Sequence, residues 1–386
     1  MANMIKPAII VIAYNREESL KRLLTSLNNA IYESDDITLI ISIDKSDNEK
    51  VFKAADEFEW KHGNKKTVLS SENLGLKKHV LKCGDYAYEY ESIIVLEDDL
   101  YVSKNFYSYA CQALEFSMDK QEIAGVSLYN HELNVHVREP FKAIDDGFDN
   151  YYMQFAQSWG QAYTKKQWHE FKSWLDKNDS INLCSENVPA NVSSWSDKSW
   201  LKYFIKYVID SDKYFIYPRV SHTTNFGDEG THAKDSVSDL QVMLSFVNEK
   251  KYNFSSLDES GSVYDAFFEN IKIKKAVSDK LKSLAVNAEQ EDISIDLYGY
   301  RESTDKRFVL SSKAMPNKVL YSYARKLRPI DANIILDCQG DELFLYDTLE
   351  KDNAPKTDDA KRTLYNYKAL NIKKMINVIK YRITGK

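Results

Sequence analysis

The chain of 386 residues has no apolar run approaching the roughly 20 residues that a membrane-spanning helix needs. Its four cysteines, Cys83, Cys111, Cys184 and Cys338, include no C-x-x-C pair, which speaks against a disulfide framework and a zinc knuckle. The opening MANMIKPAIIVIAYNR runs straight into a strand pattern with no cleavage region, so no export signal is expected and the chain reads as cytoplasmic and bacterial. Three phosphate and nucleophile motifs are missing: G-x-x-x-x-G-K-[ST], G-x-G-x-x-G and G-x-S-x-G. That counts against a P-loop kinase, a dinucleotide enzyme and an α/β-hydrolase. HELNVH at 131–136 spaces its histidines five apart and so lacks the i, i+4 pair of a zinc protease helix. A net charge of −6 argues against a nucleic-acid partner, and no internal repeat or low-complexity stretch is present.

What is present is a globular composition, 43% hydrophobic and 28% charged, enough for one large core and a smaller domain. The first 135 residues alternate β-branched runs with amphipathic segments. PAIIVIAYN (7–15), ITLIISID (37–44), KTVLSS (66–71) and SIIVLEDD (92–99) read as strands, with helical patterns over 16–30, 49–60, 76–91 and 103–118. This rhythm predicts an α/β fold whose mostly parallel sheet is flanked by helices. Ligands collect beyond the carboxyl ends of such strands, where Asn15, Arg16, Asp44, Asp47, Asn73 and the acids 97–99 fall. Residues 136–260 are aromatic and loop-rich. DISIDLYGY, RFVLSS and NIILDCQGDELFLYDT predict a small C-terminal α+β module, joined by a Lys-rich helical stretch at 270–285. The expected domains are 1–265, 266–360 and a tail, 361–386.

The segment VLEDD drives an apolar strand into three carboxylates, Glu97, Asp98 and Asp99. A divalent cation with hard oxygen ligands, Mg2+ or Mn2+, would relieve their repulsion. The plainer alternative is a solvated turn capping a helix that begins near Ser103.

Around these residues, VLEDDLYVSKNFYSYACQAL, preceded by NLGLKKHVLKCGDYAYE, resembles the D-x-D region of a glycosyltransferase with the GT-A fold, above all the N-acetylglucosaminyltransferase I group. IVIAYNREESLKRLLTSL is similar to that family's first strand and helix. SWGQAYTKKQWHEF is similar to its glycine-tryptophan segment on the acceptor side, and YPRVSHTTNFGDEGTH to its R-P-E-x-S-R-T-x-x-F-G loop. The resemblance spans about residues 6–235. It implies a GT-A, Rossmann-like mixed sheet and an inverting, metal-dependent transfer from a nucleotide sugar, expected to be a UDP-sugar. Asp99 would hold the metal, Asp98 would face the ribose, Glu97 the donor sugar, and Arg16 and Asp44 the uridine. Trp159, Phe226, His79 and His222 complete the expected donor-binding set; His222 replaces the family's arginine. SSWSDKSWLKY stands in the place of the family's W-D-D-W, and its single acid, Asp197, is the candidate base, with a helix N-cap as the alternative. His232 is a further loop histidine of interest.

The implied acceptor is a glycan or lipid-linked glycan of bacterial surface polysaccharide, such as O-antigen or capsule. Residues 361–386 hold eight Lys and Arg and no acid, with Leu370, Ile372, Met375, Ile376, Ile379 and Ile383 at near-helical spacing. Peripheral contact with the inner face of the membrane is one reading, and packing on the C-terminal module the other. Two rival functions stay in view: a nucleotidyltransferase, for which IAYNREE lacks the glycine-rich phosphate loop, and a catalytically inactive carbohydrate-binding protein.

Overall fold

The β-branched runs form strands where the pattern places them. In the computed structural model, which describes residues 5–178, 187–228, 239–367 and 371–384, the order begins β1 (Ala8–Ala13), α1 (Glu17–Asn28), β2 (Leu39–Ile43), α2 (Glu49–Asp56), β3 (Lys65–Leu69), α3 (Gly75–Gly84), α4 (Ala87–Tyr90) and β4 (Ser92–Glu97). Every residue of β1 and β2 is buried, and α1 lays Leu20, Leu23, Leu24 and Leu27 on them as its apolar stripe dictates. β1 pairs in parallel with both β2 and β4, and β2 with β3, so these four strands end at one edge.

Next come β5 (Leu100–Val102), α5 (Phe106–Ser117), β6 (Ile123–Ser127), β7 (Leu133–Asn134), β8 (Glu139–Pro140), β9 (Asn150–Met153), β10 (Gln161–Thr164) and α6 (Lys165–Asn178). They are followed by α7 (Ala190–Ser193), α8 (Leu201–Asp210), β11 (Tyr214–Pro218), β12 (Thr223–Asn225) and β13 (Val263–Tyr264). The main sheet has nine strands in the order β13-β9-β11-β6-β10-β4-β1-β2-β3. β10 runs antiparallel to β4 and β6, and β9 antiparallel to β11, while the remaining pairs are parallel. The aromatic stretch read as loop-rich therefore supplies three strands of the sheet, β9, β10 and β11. Two of its tryptophans, Trp168 and Trp200, are buried in the core. The Trp168 ring lies against Gly84, where a Cβ would come within 1.9 Å of it, and Nε1 donates to Asp85 at 2.9 Å.

The chain divides into two units, Met1–Leu133 with Asp145–Phe268 and Asn134–Ile144 with Glu269–Lys386. The second holds α9 (Lys274–Ser283), β14 (Ile293–Asp296), β15 (Phe308–Ser311), β16 (Asn317–Tyr323), α10 (Ala332–Ile335), β17 (Leu343–Lys351), α11 (Asp359–Asn366) and α12 (Ile372–Thr384). Its sheet is ordered β14-β15-β17-β16. NIIL, expected as strand, is helical as α10, because Asn333 folds its side chain back onto the carbonyl of Ile330 at 2.9 Å and closes a turn. Among the described residues no helix is long and apolar enough to cross a membrane.

Candidate active site

The parallel register explains how the acids meet a cation. Ile12 of β1 stands opposite Glu97 of β4, so the residues just past the two strands share one end of the sheet. Arg16 leaves β1 there and turns its guanidinium onto the triplet: Nη2 donates to Asp98 Oδ1, and Nη1 to Asp99 Oδ2 at 3.0 Å. The backbone N–H of Tyr14 adds a long contact to Asp98 Oδ2, 3.4 Å. The positive charge among the carboxylates is thus Arg16. Its guanidinium keeps its proton more firmly than usual, since burial works against the charge but Asp98 and Asp99 outweigh it.

The carboxylates are pushed the other way. Burial raises the Glu97 carboxyl to about 8, helped by Asp99 and Asp98 and opposed by Arg16. Burial likewise lifts Asp98 to about 6, with Arg16 limiting the rise. Asp99 carries the feature most relevant to a cation: its Oδ1 is buried and makes no hydrogen bond. The acids do not cap a helix at Ser103. β5 follows them instead, and α5 begins only at Phe106.

β5 is also what brings the distant loop to the triplet. It pairs antiparallel with β12, Leu100 opposite Asn225, and the N–H of Phe226 donates to the Asp99 carbonyl at 3.0 Å. Beyond it Asp228 accepts from Ser19 Oγ at 2.6 Å and from Arg22 Nη2, while the Arg22 guanidinium lies 3.7 Å from the centroid of the Phe226 ring. Trp159 belongs to the same neighbourhood. Thr223 Oγ1 donates to its carbonyl at 2.5 Å, and Gly160 beside it holds a φ of +95° at a spot where a Cβ would sit 2.7 Å from Thr223 Cγ2. Arg16, Glu97, Asp98, Asp99, Phe226 and Trp159 are therefore gathered around one end of β4.

The other expected residues have different partners. Asp44 is buried and accepts from the N–H groups of Lys45 (2.9 Å), Leu74 (2.8 Å) and Gly75 (2.9 Å), so its carboxylate holds the entry to α3. His79 is 2% exposed and shares a hydrogen bond of 2.8 Å with Ser42 Oγ; burial lowers its pKa. His222, expected in the donor-binding set, is a core residue. Its ring stacks on Tyr109 at 4.4 Å, Nδ1 meets Ser103 Oγ at 3.0 Å and Nε2 meets Tyr252 OH at 3.3 Å. Burial takes its pKa down to about 3, so it stays neutral, with both nitrogens engaged. Asp197 is 93% exposed at its side chain and pairs with the buried Lys202 Nζ at 2.6 Å, which lowers its pKa. It is no N-cap: α8 starts at Leu201 after Trp200 with no side-chain cap. His232 lies outside the described residues.

Ser19, Arg22, Asp228 and Lys202 are the participants that pattern reading missed. Arg22 lies among the leucines of α1 in sequence but off their stripe, Asp228 lies in a glycine-flanked loop, and neither spacing marks a pair 206 residues apart.

Residues 8–165 match the family model for glycosyl transferase family 2. This part of the chain is similar to a family 2 glycosyltransferase domain, and the sheet fits the GT-A α/β fold, with a separate small C-terminal sheet. Among solved structures the chain is similar to residues 1–349 of S. aureus TarS, at 14% identity and TM-score 0.38, over 56% of this chain and 59% of that one. It is similar to the same TarS segment in complex with UDP-GlcNAc at 12% identity and TM-score 0.37, over 74% and 68%. It is also similar to the mannosyltransferase PcManGT of Pyrobaculum calidifontis in complex with GDP-Man and Mn2+, at 12% identity and TM-score 0.31, over 45% and 46%. The alignments to TarS 1–349 and PcManGT thus span 59% and 46% of those chains. Comparison with curated proteins gives no match.

Proposed function

We propose that the chain is an inverting, metal-dependent glycosyltransferase of the N-acetylglucosaminyltransferase I type. It would move a sugar from a UDP-sugar to a glycan or lipid-linked glycan during bacterial surface polysaccharide synthesis, at the inner face of the cytoplasmic membrane. The observation that carries this reading is the triplet at the end of β4: two acids clasped by Arg16 and, on Asp99, a buried oxygen with nothing to bind.

Mg2+ or Mn2+ fits that oxygen. Such ions are commonly held by one or two carboxylates plus substrate phosphates, and among the described residues no cluster of three or more His, Cys, Asp or Glu is arranged as an all-protein cage. When bound, the ion would offset the charge developing on the leaving diphosphate. Asp98 and Glu97 would serve the ribose and the donor sugar, with Asp98 kept in place by Arg16. Asp44 would shape the uridine side by fixing the entry to α3. Phe226 and Trp159 would flank the donor.

Asp197 would accept the proton of the acceptor hydroxyl, and Lys202 keeps it ionised for that work. One base and no protein nucleophile means a single displacement, so an α-linked donor gives a β-linked product.

Calorimetric titration of UDP and a panel of UDP-sugars, with Mn2+ and with chelator, tests the reading. Metal-dependent UDP binding, with one sugar bound most tightly, is expected. Metal-independent binding would overturn the role of Asp99, and no nucleotide binding at all would favour the inactive carbohydrate-binding alternative.

A further inference from the structure

We infer that α12 is an interfacial anchor that lies on an anionic lipid surface with its aliphatic stripe inserted. α11 is fastened to its own unit: Arg362 Nε donates to Glu139 at 2.6 Å, Nη2 of the same residue to the Tyr298 carbonyl at 2.8 Å, and Tyr365 OH to the Leu327 carbonyl at 2.7 Å. α12 is not. No described side chain along it is buried, and its apolar residues range from 44% exposed at Met375 to 78% at Ile383.

The pattern on the helix is one-sided. Ile372, Met375, Ile376, Ile379 and Ile383 recur at i, i+3, i+4, i+7 and i+11, a continuous face about 100° wide. Lys373, Lys374, Asn377, Lys380 and Thr384 occupy the opposite side, together with Tyr381. Asn371 caps the start, its Oδ1 accepting from the N–H of Lys374 at 3.1 Å. A lone helix of 13 residues is marginal in water, so this one needs a surface to complete it.

Charge selects the surface. From residue 360 to 386 there is no acid, in a chain whose net charge is −6, so the basic groups are concentrated beside this uncovered aliphatic stripe. Aliphatic insertion together with lysine heads near phosphates is the chemistry of an anionic bilayer. A second copy of the helix is the competing occupant, since Ile372, Ile376, Ile379 and Ile383 also fit a heptad seam, and vesicle-free self-association tells the two apart.

The inference rests on the proposed membrane-side acceptor for its purpose but not for its physics, so lipid and nucleotide binding are measured separately. The full chain is sedimented with phosphatidylcholine vesicles with and without phosphatidylglycerol, and UDP titration is run on the same preparations. Binding is expected only with phosphatidylglycerol and should weaken with salt. I376D/I379D and, separately, K373E/K374E should each lower it more than about tenfold while leaving UDP titration unchanged. Equal binding by wild type and variants, or indifference to phosphatidylglycerol, would overturn the anchor. So would vesicle-free self-association that the isoleucine variants abolish. Failure of UDP binding alone would count against the donor assignment and leave the anchor standing.

Discussion

The acidic triplet and helix α12 each concentrate one charge, and they are handled in opposite ways. Glu97, Asp98 and Asp99 sit at the end of a buried strand, where carboxylates cannot remain ionised uncompensated, and the fold brings Arg16 from the neighbouring strand end to clasp two of them. The lysines of α12 project into water and have no such partner built beside them. Water already screens exposed charge, so nothing in folding demands a counter-ion there. A compensated cluster can exchange its partner for a ligand. An uncompensated one acts on whatever anionic surface comes near.

The sharpest way to break this contrast is at the triplet. Asp99→Ala removes the oxygen that has no protein partner, and metal-supported UDP binding should fall more than about 100-fold, equivalent to roughly 2.7 kcal/mol. Calorimetry that finds unchanged metal dependence would show that the unpaired oxygen is not the metal's. Arg16→Met tests the clasp itself. It leaves Asp98, 4% exposed at its side chain, without its ion partner, and should cost about 2–4 kcal/mol in urea unfolding, the partial exposure of Arg16 softening the loss. Divalent cation should restore more thermal stability to this variant than it adds to the wild type, if the two cations serve the same carboxylates.

His222 supplies a pH readout away from the triplet. Its folded pKa, about 3, lies below the unfolded value near 6.5, so the unfolded chain takes up the proton first. The stability contributed by the neutral ring is complete above about 6.5 and is lost as pH falls toward 3, at up to about 1.4 kcal/mol per pH unit. In His222→Phe, which retains the stack on Tyr109, that slope should flatten relative to wild type over pH 6.5 to 4.5. A slope identical to wild type would mean the ring is not held neutral. The smallest effect belongs to the tail: Ile376→Asp touches no core and should shift unfolding free energy by less than about 0.5 kcal/mol, even though it weakens vesicle binding.

The strands and helices of the first hundred residues were legible because parallel strands buried on both faces are continuous β-branched runs, and the amphipathic stripe of α1 is unambiguous. β16 was not. Its NKVLYSY is a half-exposed edge, whose residues need neither a uniform apolar run nor strict alternation. The antiparallel strands β9 and β10 hid for another reason: their short aromatic segments read as core or loop until the sheet that receives them is known.

For the site, sequence marked the polar residues at strand ends but not the direction of their side chains. His79 and Asp44 lie close to the expected edge, yet one points into the core beside Ser42 and the other is taken up by three backbone N–H groups. His222 lies in the segment recognised from its motif, but β12 turns it inward against Tyr109, because the strand's pairing with β5 fixes which face each residue shows.

By itself, then, the sequence determined the alternation of strand and helix, the acids at the close of β4 and the one-sided basic helix, since these follow from local periodicity and composition. Only the tertiary structure decided that Arg16 is the cation among the carboxylates, that Asp228 and Phe226 return to α1, and that one oxygen of Asp99 stays unmatched. Those facts depend on parallel register and on pairings across many tens of residues, and no local pattern of side chains encodes which distant group will fill the space beside a buried charge.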